Sequence, residues 1–171
     1  MKEGDSMNRF LSAVVSTLLV LAPASRASAQ LLSAKDGPIV YGHHHLNTTN
    51  MDAQKKFFVD TLGGTVVKLG ANQQEIVKFP NVLIFFRPMQ APTGGTRGTT
   101  VNHIGFSVPN LRPVVDRIKA SGFQMITRSE VAATQEVKDD IAAISPTTSI
   151  AFIKDPWGTN IEMTEGLADI K

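Results

Sequence analysis

Four polar residues of this chain have types and spacings that could hold a divalent metal ion. His43 and His45 lie in the stretch YGHHHLN, His103 opens HIGFSVPNL, and Glu162 lies in DPWGTNIEM. Side chains alternate between the faces of a strand, so His43 and His45 should share one face. Two imidazoles and one carboxylate with open coordination positions suit Fe(II) or Mn(II), and also Zn(II) or Ni(II). We predict His43, His103 and Glu162 as the metal ligands, with His45 as a competitor for the place of His43.

Further polar side chains on the same predicted faces could assist chemistry at such an ion. We predict His45, Asn47 and Ser107 as catalytic residues. An imidazole can exchange a proton near neutral pH, and amide and hydroxyl groups can hydrogen-bond a substrate. Tyr41 and Arg87 are weaker candidates of the same kind, and each of these side chains could instead only line the cleft.

The elements that must position these residues form an internal repeat with an offset of sixty residues. The offset superimposes His43 on His103 and Asn50 on Asn110, and asparagine is a preferred residue just before a helix. An amphipathic helix follows in each half and stops at a glycine. Three strand-like segments come next in each half: GTVVKLG, QEIVKF and NVLIFFRP, then FQMITR, TSIAFIKD and TNIEMTE. The pattern predicts an α+β fold of two βαβββ modules with one main helix each.

The repeat also predicts how the chain is organised. The modules should span residues 40–90 and 101–171, joined by a Gly- and Thr-rich linker over 91–100, and the second module should end in a short tail. We expect each helix to cover its own sheet, so that the helix faces are buried separately and the concave sheet faces meet in a cleft. Apolar residues at helical spacing within 130–149 predict a short helix near the cleft mouth, either as a lid or as packing surface.

The first 29 residues have the pattern of a signal peptide. Arg9 precedes an apolar run from Phe10 to Leu21, and Ala27-Ser28-Ala29 has the small-x-small pattern of a cleavage site. The apolar run is shorter than the roughly 20 residues that span a membrane comfortably. We predict cleavage after Ala29, which leaves 30–39 as an N-terminal extension of a secreted or periplasmic protein without a membrane anchor. An uncleaved N-terminal anchor is the alternative.

Composition narrows the class of function. The chain has 17 Lys and Arg against 15 Asp and Glu, a net charge of +2, and 6% aromatic residues. The basic residues are scattered, which speaks against nucleic acid as a partner and favours a small-molecule substrate. There are no cysteines, so disulfides and thiolate metal ligands are excluded.

Three stretches together resemble the vicinal oxygen chelate superfamily, the glyoxalase/bleomycin-resistance/extradiol-dioxygenase group. They are HHHLNTTNMDAQKKFFVDTLGG, HIGFSVPNL and FIKDPWGTNIEM. The resemblance implies paired βαβββ modules whose mixed sheets curl around a central divalent metal, with ligands at His43, His103 and Glu162. It also implies a small substrate that is bound through two neighbouring oxygens. Homodimers are common in the family, so a homodimer is an assembly that the resemblance allows.

The sequence departs from the glyoxalase I-like members at one strand. Those members carry a fourth ligand, a carboxylate, on the last strand of the first module, but NVLIFFRP contains no acid. The four-ligand pattern is therefore broken unless Glu75 or His45 substitutes. The resemblance implies either a dioxygenase-like or a lyase/isomerase-like enzyme. A metal-independent binding protein of the bleomycin-resistance type is the main alternative, and an exported structural domain with a relic cleft is the third interpretation.

Overall fold

The computed structural model describes residues 39 and 41–167. The predicted signal peptide, nearly all of the predicted N-terminal extension and the last four residues of the predicted tail lie outside the described residues. The first group of elements is β1 (His43–Thr48), α1 (Met51–Leu62), β2 (Thr65–Leu69), β3 (Gln74–Phe79) and β4 (Val82–Pro88). The second group is β5 (Ile104–Ser107), α2 (Leu111–Ala120), α3 (Thr127–Glu130), β6 (Val137–Lys138), β7 (Ile141–Ala143), β8 (Ser149–Lys154) and β9 (Asn160–Glu165).

The strands form two sheets with closely related topology. The first has the order β1-β4-β3-β2 and the second the order β5-β9-β8-β7-β6. In each sheet the first strand pairs in parallel with the last strand of its module, and the other pairs are antiparallel. The predicted α+β architecture of two paired βαβββ modules is confirmed. In the second module, this pairing places the start of β5, which follows His103, beside β9, which carries Glu162.

Matched caps explain why the main helix of each module begins where it does. The Asn50 side chain accepts a hydrogen bond from the Ala53 amide at 3.0 Å, and the Asn110 side chain accepts one from the Arg112 amide at 3.0 Å. These bonds satisfy backbone donors that the first turn of a helix leaves free. Helix α1 ends at Gly63, whose φ of 75° is the left-handed conformation that favours glycine.

The second module departs from the predicted pattern after its helix. The segment FQMITR forms only one isolated bridge, from Met125 to Ile153, and then turns into the short helix α3. The helix predicted within 130–149 is wrong, because β6 and β7 form a hairpin there. Asp139 and Asp140 have φ angles of 50° and 67°, the left-handed pair that a two-residue hairpin turn requires. The turn chemistry of the Asp-Asp pair outweighs the helical spacing of the apolar residues.

One hydrophobic core serves both modules. Phe57 and Phe58 of α1 and Val115 and Ile118 of α2 are fully buried in the same cluster, together with residues of both sheets. The Phe57 ring also lies edge-on to Phe123 of the second module, with 4.9 Å between ring centroids. The expectation that the modules bury their helix faces separately is therefore wrong. Because the helix-covered sides share a core, the opposite faces of the two sheets point away from it.

Polar contacts fix the modules against each other around the turn DPWG. The buried Gln54 side chain of α1 donates to Asp155 Oδ2 at 2.5 Å. The linker approaches the same turn so closely that a Cβ on Gly95 would lie 2.0 Å from the Gly158 carbonyl oxygen. Only a residue without a side chain fits that approach. Among the described helices, none has the length and apolar character needed to cross a membrane.

Candidate functional site

The first half of the candidate site is the exposed face of β1. His43, His45 and Asn47 are exposed on this face, whereas the residues between them are at least half-buried, as the predicted alternation requires. The rings of His43 and His45 lie 5.0 Å apart. His45 also stacks on Phe85 of β4, with ring centroids 4.8 Å apart and planes 18° from parallel. Stacking holds the His45 imidazole against Phe85 on the exposed face of the sheet.

The second half of the candidate site joins His103 and Glu162. His103 Nε2 lies 3.4 Å from Glu162 Oε2, although the two residues are far apart in sequence. The carboxylate is largely buried, with 18% of its side chain exposed, and Thr164 donates its hydroxyl to Glu162 Oε1 at 2.5 Å. The His103 ring packs edge-on against Phe152, with centroids 5.6 Å apart. These contacts fix both side chains before any ligand arrives.

The hydrogen bonds of His103 show that this pair fits a cation. The other ring nitrogen, Nδ1, lies 3.0 Å from Asn102 Oδ1, an acceptor, and this contact favours the tautomer that carries its proton on Nδ1. A neutral His103 then presents the lone pair of Nε2 to the carboxylate of Glu162. Two acceptors in this position require a proton or a metal ion between them. Neighbouring ligands at roughly 2.1 Å from one ion lie about 3.0–3.4 Å apart, which agrees with the separation of this pair.

The register of the two sheets shows which residues of the modules are equivalent. His45 pairs with Phe85 in the first sheet, and Gly105 pairs with Glu162 in the second. The sixty-residue offset superimposes His45 on Gly105, so Phe85 stands at the position of Glu162. The first module therefore has an aromatic ring where the second has its carboxylate. A Cβ added to Gly105 would meet nothing within 4 Å, so space remains open beside Glu162.

The three predicted metal ligands do not meet within one chain. Over residues 41–167, no group of three or more His, Asp or Glu side chains is placed to hold a metal ion. His103 and Glu162 come together, whereas His43 stays on the face of the other sheet. Over these residues the two faces therefore do not combine their candidate ligands at one point.

The predicted helper residues lie in two different places. His45 and Asn47 line a small cavity of about 190 Å³, whose other wall includes Trp157 and the linker. Ser107 is exposed and lines a much larger groove between the two modules. Arg87 is exposed at the end of β4, opposite Asn47 in register.

Two acidic residues have structural contacts instead of a place at the site. Glu75, considered above as a substitute ligand, accepts from Lys55 Nζ at 2.5 Å on the surface. This hydrogen bond and the charge of Lys55 lower the pKa of Glu75. Glu165 accepts from the Leu111 amide at 2.8 Å and so caps the start of α2.

Tyr41 does not lie beside His43 as its spacing predicted. Its hydroxyl instead contacts His44 Nε2 at 2.5 Å, on the helix-facing side of β1. Partial burial, and to a smaller degree the charge of His43, lowers the pKa of His44. The neutral imidazole is therefore favoured at this position.

Sequence reasoning missed several residues that shape the site. Phe85, Asn102 and Thr164 set the ring stacking, the tautomer and the carboxylate orientation described above. The signal for Phe85 was available, because aligning the last strands of the two modules pairs it with Glu162. The contacts of Asn102 and Thr164 depend on side-chain geometry and have no sequence pattern of their own.

The fold defines a class of protein built from paired βαβββ modules. The model of the Glyoxalase/Bleomycin resistance protein/Dioxygenase superfamily matches residues 40–163. The chain belongs to this superfamily, the vicinal oxygen chelate group, as the sequence motifs predicted.

Solved structures with the same fold have little sequence identity to the chain. A protein from Bacillus anthracis, assigned to the glyoxalase family, has a TM-score of 0.54 at 15% identity and covers 75% of this chain and 94% of its own. A glyoxalase/dioxygenase from Nostoc punctiforme has a TM-score of 0.51 at 18% identity and covers 87% and 97%. A glyoxalase/bleomycin resistance protein/dioxygenase from Alicyclobacillus acidocaldarius has a TM-score of 0.51 at 12% identity and covers 75% and 92%. No curated protein matches the chain. At these identities the likeness shows the fold alone.

Proposed function

We propose that this chain is a divalent-metal-dependent enzyme that binds a small substrate through two neighbouring oxygen atoms. The observation that supports the proposal best is the pair formed by His103 and Glu162. Their facing acceptors lie 3.4 Å apart beside open space at Gly105, as two ligands of one ion would. Superfamily membership adds a general expectation of metal chemistry but does not select a reaction.

The third ligand in this proposal is His43 of a second copy of the chain. In a two-fold symmetric dimer, residues of one face contact residues of another face in both directions. The exposed His43 face of one chain would then meet the His103–Glu162 pair of its partner, and the dimer would contain two equivalent sites. This arrangement explains why each half of the site is exposed and incomplete within one chain.

Each residue has a defined part in the proposed site. His43, His103 and Glu162 would hold Fe(II) or Mn(II), and Zn(II) or Ni(II) also suit the donor set. The bound ion would supply Lewis-acid stabilisation of negative charge on substrate oxygens. His45, which is exposed and stacked on Phe85, is suited to accept or donate a proton. Asn47 and Ser107 could orient the substrate by hydrogen bonds.

The donor set favours the three-ligand type of reaction over the glyoxalase I type. Phe85 occupies the strand position at which a fourth carboxylate would be equivalent to Glu162. Three ligands leave more coordination positions for substrate and water or dioxygen. We favour a dioxygenase-like reaction, with lyase or isomerase chemistry as the other candidate. The signal-peptide pattern of residues 1–29 supports export to the periplasm or beyond.

Mixing two inactive variants tests both the metal and the shared site. His43→Ala and His103→Ala should each lose stoichiometric metal. In mixed dimers, one site combines both substitutions and the other combines two intact halves. Random exchange should therefore restore about a quarter of the wild-type metal content. The measurement is metal per chain after co-refolding and desalting.

Different results would exclude different parts of the proposal. No stoichiometric metal in the wild type contradicts the metal-dependent function. Metal loss without recovery on mixing contradicts the site between chains. Metal retention in His43→Ala together with loss in His45→Ala would make His45 the ligand.

A metal-independent binding protein is the second candidate. The observation that favours it is the separation of His43 from His103 and Glu162 within the described chain. In that case a small molecule should bind with the same affinity before and after treatment with a chelator.

A further inference from the structure

A large groove lies between the two modules on the side of the helices. Its volume is about 990 Å³, and its walls come from the start of β1, the turn between β3 and β4, the end of α1, β5 and the start of α2. This volume is at the upper end of the range for pockets that bind drug-sized molecules. His103, Gly105 and Ser107 form one end of the groove, whereas the rest of its wall comes from residues that have no part in the proposed metal site.

The lining of the groove is apolar and lacks acidic groups. Its walls include Phe79, Ile104, Phe106 and Met163, and among the described residues that line it there is no Asp or Glu. Arg117 of α2 is the one Arg or Lys among the same lining residues. An apolar surface with one cation and no acid is complementary to an amphipathic anion.

The position of Arg117 follows from the close approach of the two helices. Its Nη1 lies 2.8 Å from the place where a Cβ of Gly63 would stand, so the guanidinium rests against the backbone at the end of α1. The C-terminal end of a helix attracts positive charge, and α1 has no basic residue in its own last turn. No ion pair to Arg117 occurs among residues 41–167. Its charge is thus held at the groove without a carboxylate to neutralise it.

We propose that this groove binds a small amphipathic monoanion, such as a carboxylate or sulfonate with an aromatic or branched apolar body. The apolar body would lie against Phe79 and Phe106, and the anionic group would lie at Arg117. Tyr41 and His44, hydrogen-bonded to each other at another part of the wall, add polar contacts. The anion site at Arg117 adjoins the proposed metal site at His103 but needs no metal, so it should bind its ligand in metal-free protein.

Binding of an anionic apolar dye tests the proposal. 8-Anilinonaphthalene-1-sulfonate should bind the chelator-treated protein at one site per chain, as followed by fluorescence titration. Arg117→Gln should weaken this binding by about twofold to fivefold, the effect expected for an exposed charge pair. Val101→Glu should weaken it by about tenfold or more, since it places a like charge in an apolar groove. Val101 is 54% exposed, so the substitution leaves the core intact.

Two controls separate a site from a general effect of charge or folding. Arg112→Gln removes an arginine of the same helix that pairs with Asp116 and Asp139 instead of lining the groove, and it should leave dye affinity unchanged. The neutral dye N-phenyl-1-naphthylamine should bind the wild type and Arg117→Gln equally. Near-ultraviolet circular dichroism of Trp157 checks that each variant is folded.

Three results would overturn the proposal. One is the absence of saturable dye binding by the wild type, as when the N-terminal segment of the chain fills the groove. Another is an equal loss of affinity in Arg112→Gln and Arg117→Gln. The third is dye affinity that falls as protein concentration rises, which would make a second copy of the chain the occupant.

Discussion

The two modules share a backbone plan but carry different side chains at equivalent positions. His43, His45 and Phe85 of the first module correspond to His103, Gly105 and Glu162 of the second. Only the first histidine is the same in both. The first module has a second imidazole and an aromatic ring where the second module has open space and a carboxylate.

This difference teaches that neither module is a site by itself. The second module supplies the only acid at this position, and the first supplies the imidazole that can face it from elsewhere. The shared helix-side core keeps the two faces apart within one chain. In our proposal, the divergence of the two repeats means that the metal site needs both modules. The packing of the repeats means that these modules come from different chains.

The largest change in metal affinity should follow from removing the acid that distinguishes the second module. Glu162→Gln keeps the shape of the side chain but leaves His103 without its charged partner. We expect metal affinity to fall by roughly 100-fold or more, beyond the loss that groups supporting a ligand usually cause. Isothermal titration with Mn(II) and Zn(II) measures it. Glu136→Gln, an exposed change in the same module, is the matched control, and similar affinities of the two variants would contradict the role of Glu162.

A smaller change in metal affinity, in the opposite direction, should follow from making the modules more alike. Phe85→Glu gives the first module a carboxylate at the position of Glu162, next to His43 and His45. We expect about tenfold tighter metal binding, since a carboxylate would join the three proposed ligands as a fourth. The same titration measures the gain. Phe85→Gln controls for loss of the ring, and an affinity for Phe85→Glu no higher than that of Phe85→Gln would argue that Phe85 lies away from the ion.

The smallest effect is a change in the pH dependence of stability. It concerns His44, whose equivalent in the second module is the buried Ile104. Burial lowers the pKa of His44, so the folded chain binds this proton less readily than the unfolded chain. The contribution of His44 to stability is therefore complete above about pH 6.5 and decreases as the pH falls below that value. His44→Ile should flatten the dependence of the urea midpoint on pH between 7.5 and 5. An unchanged slope would show that other groups cause the pH dependence of stability. His45→Gln is the control on the opposite face of β1.

Much of the fold could be predicted because repeated local signals supported one another. Asn50 and Asn110, the glycine after α1 and the alternation in β1 each specify local backbone geometry, and all were found where predicted. Helix α2 instead ends at Ser121, one residue before a glycine. The prediction failed after α2, where a helical spacing of apolar residues competed with turn chemistry. Asp139 and Asp140 tolerate the left-handed conformation, so a hairpin forms there instead of the predicted helix.

The sequence by itself determined the family, the two modules and the strand faces that carry His43, His103 and Glu162. These properties follow from local rules of alternation, capping and sequence offset. Only the tertiary structure decided that His103 and Glu162 meet while His43 does not, because that depends on how the two helix faces share one core. The groove at Arg117 and the stacking of His45 on Phe85 likewise arise from packing between elements distant in the chain, which no short stretch of sequence specifies.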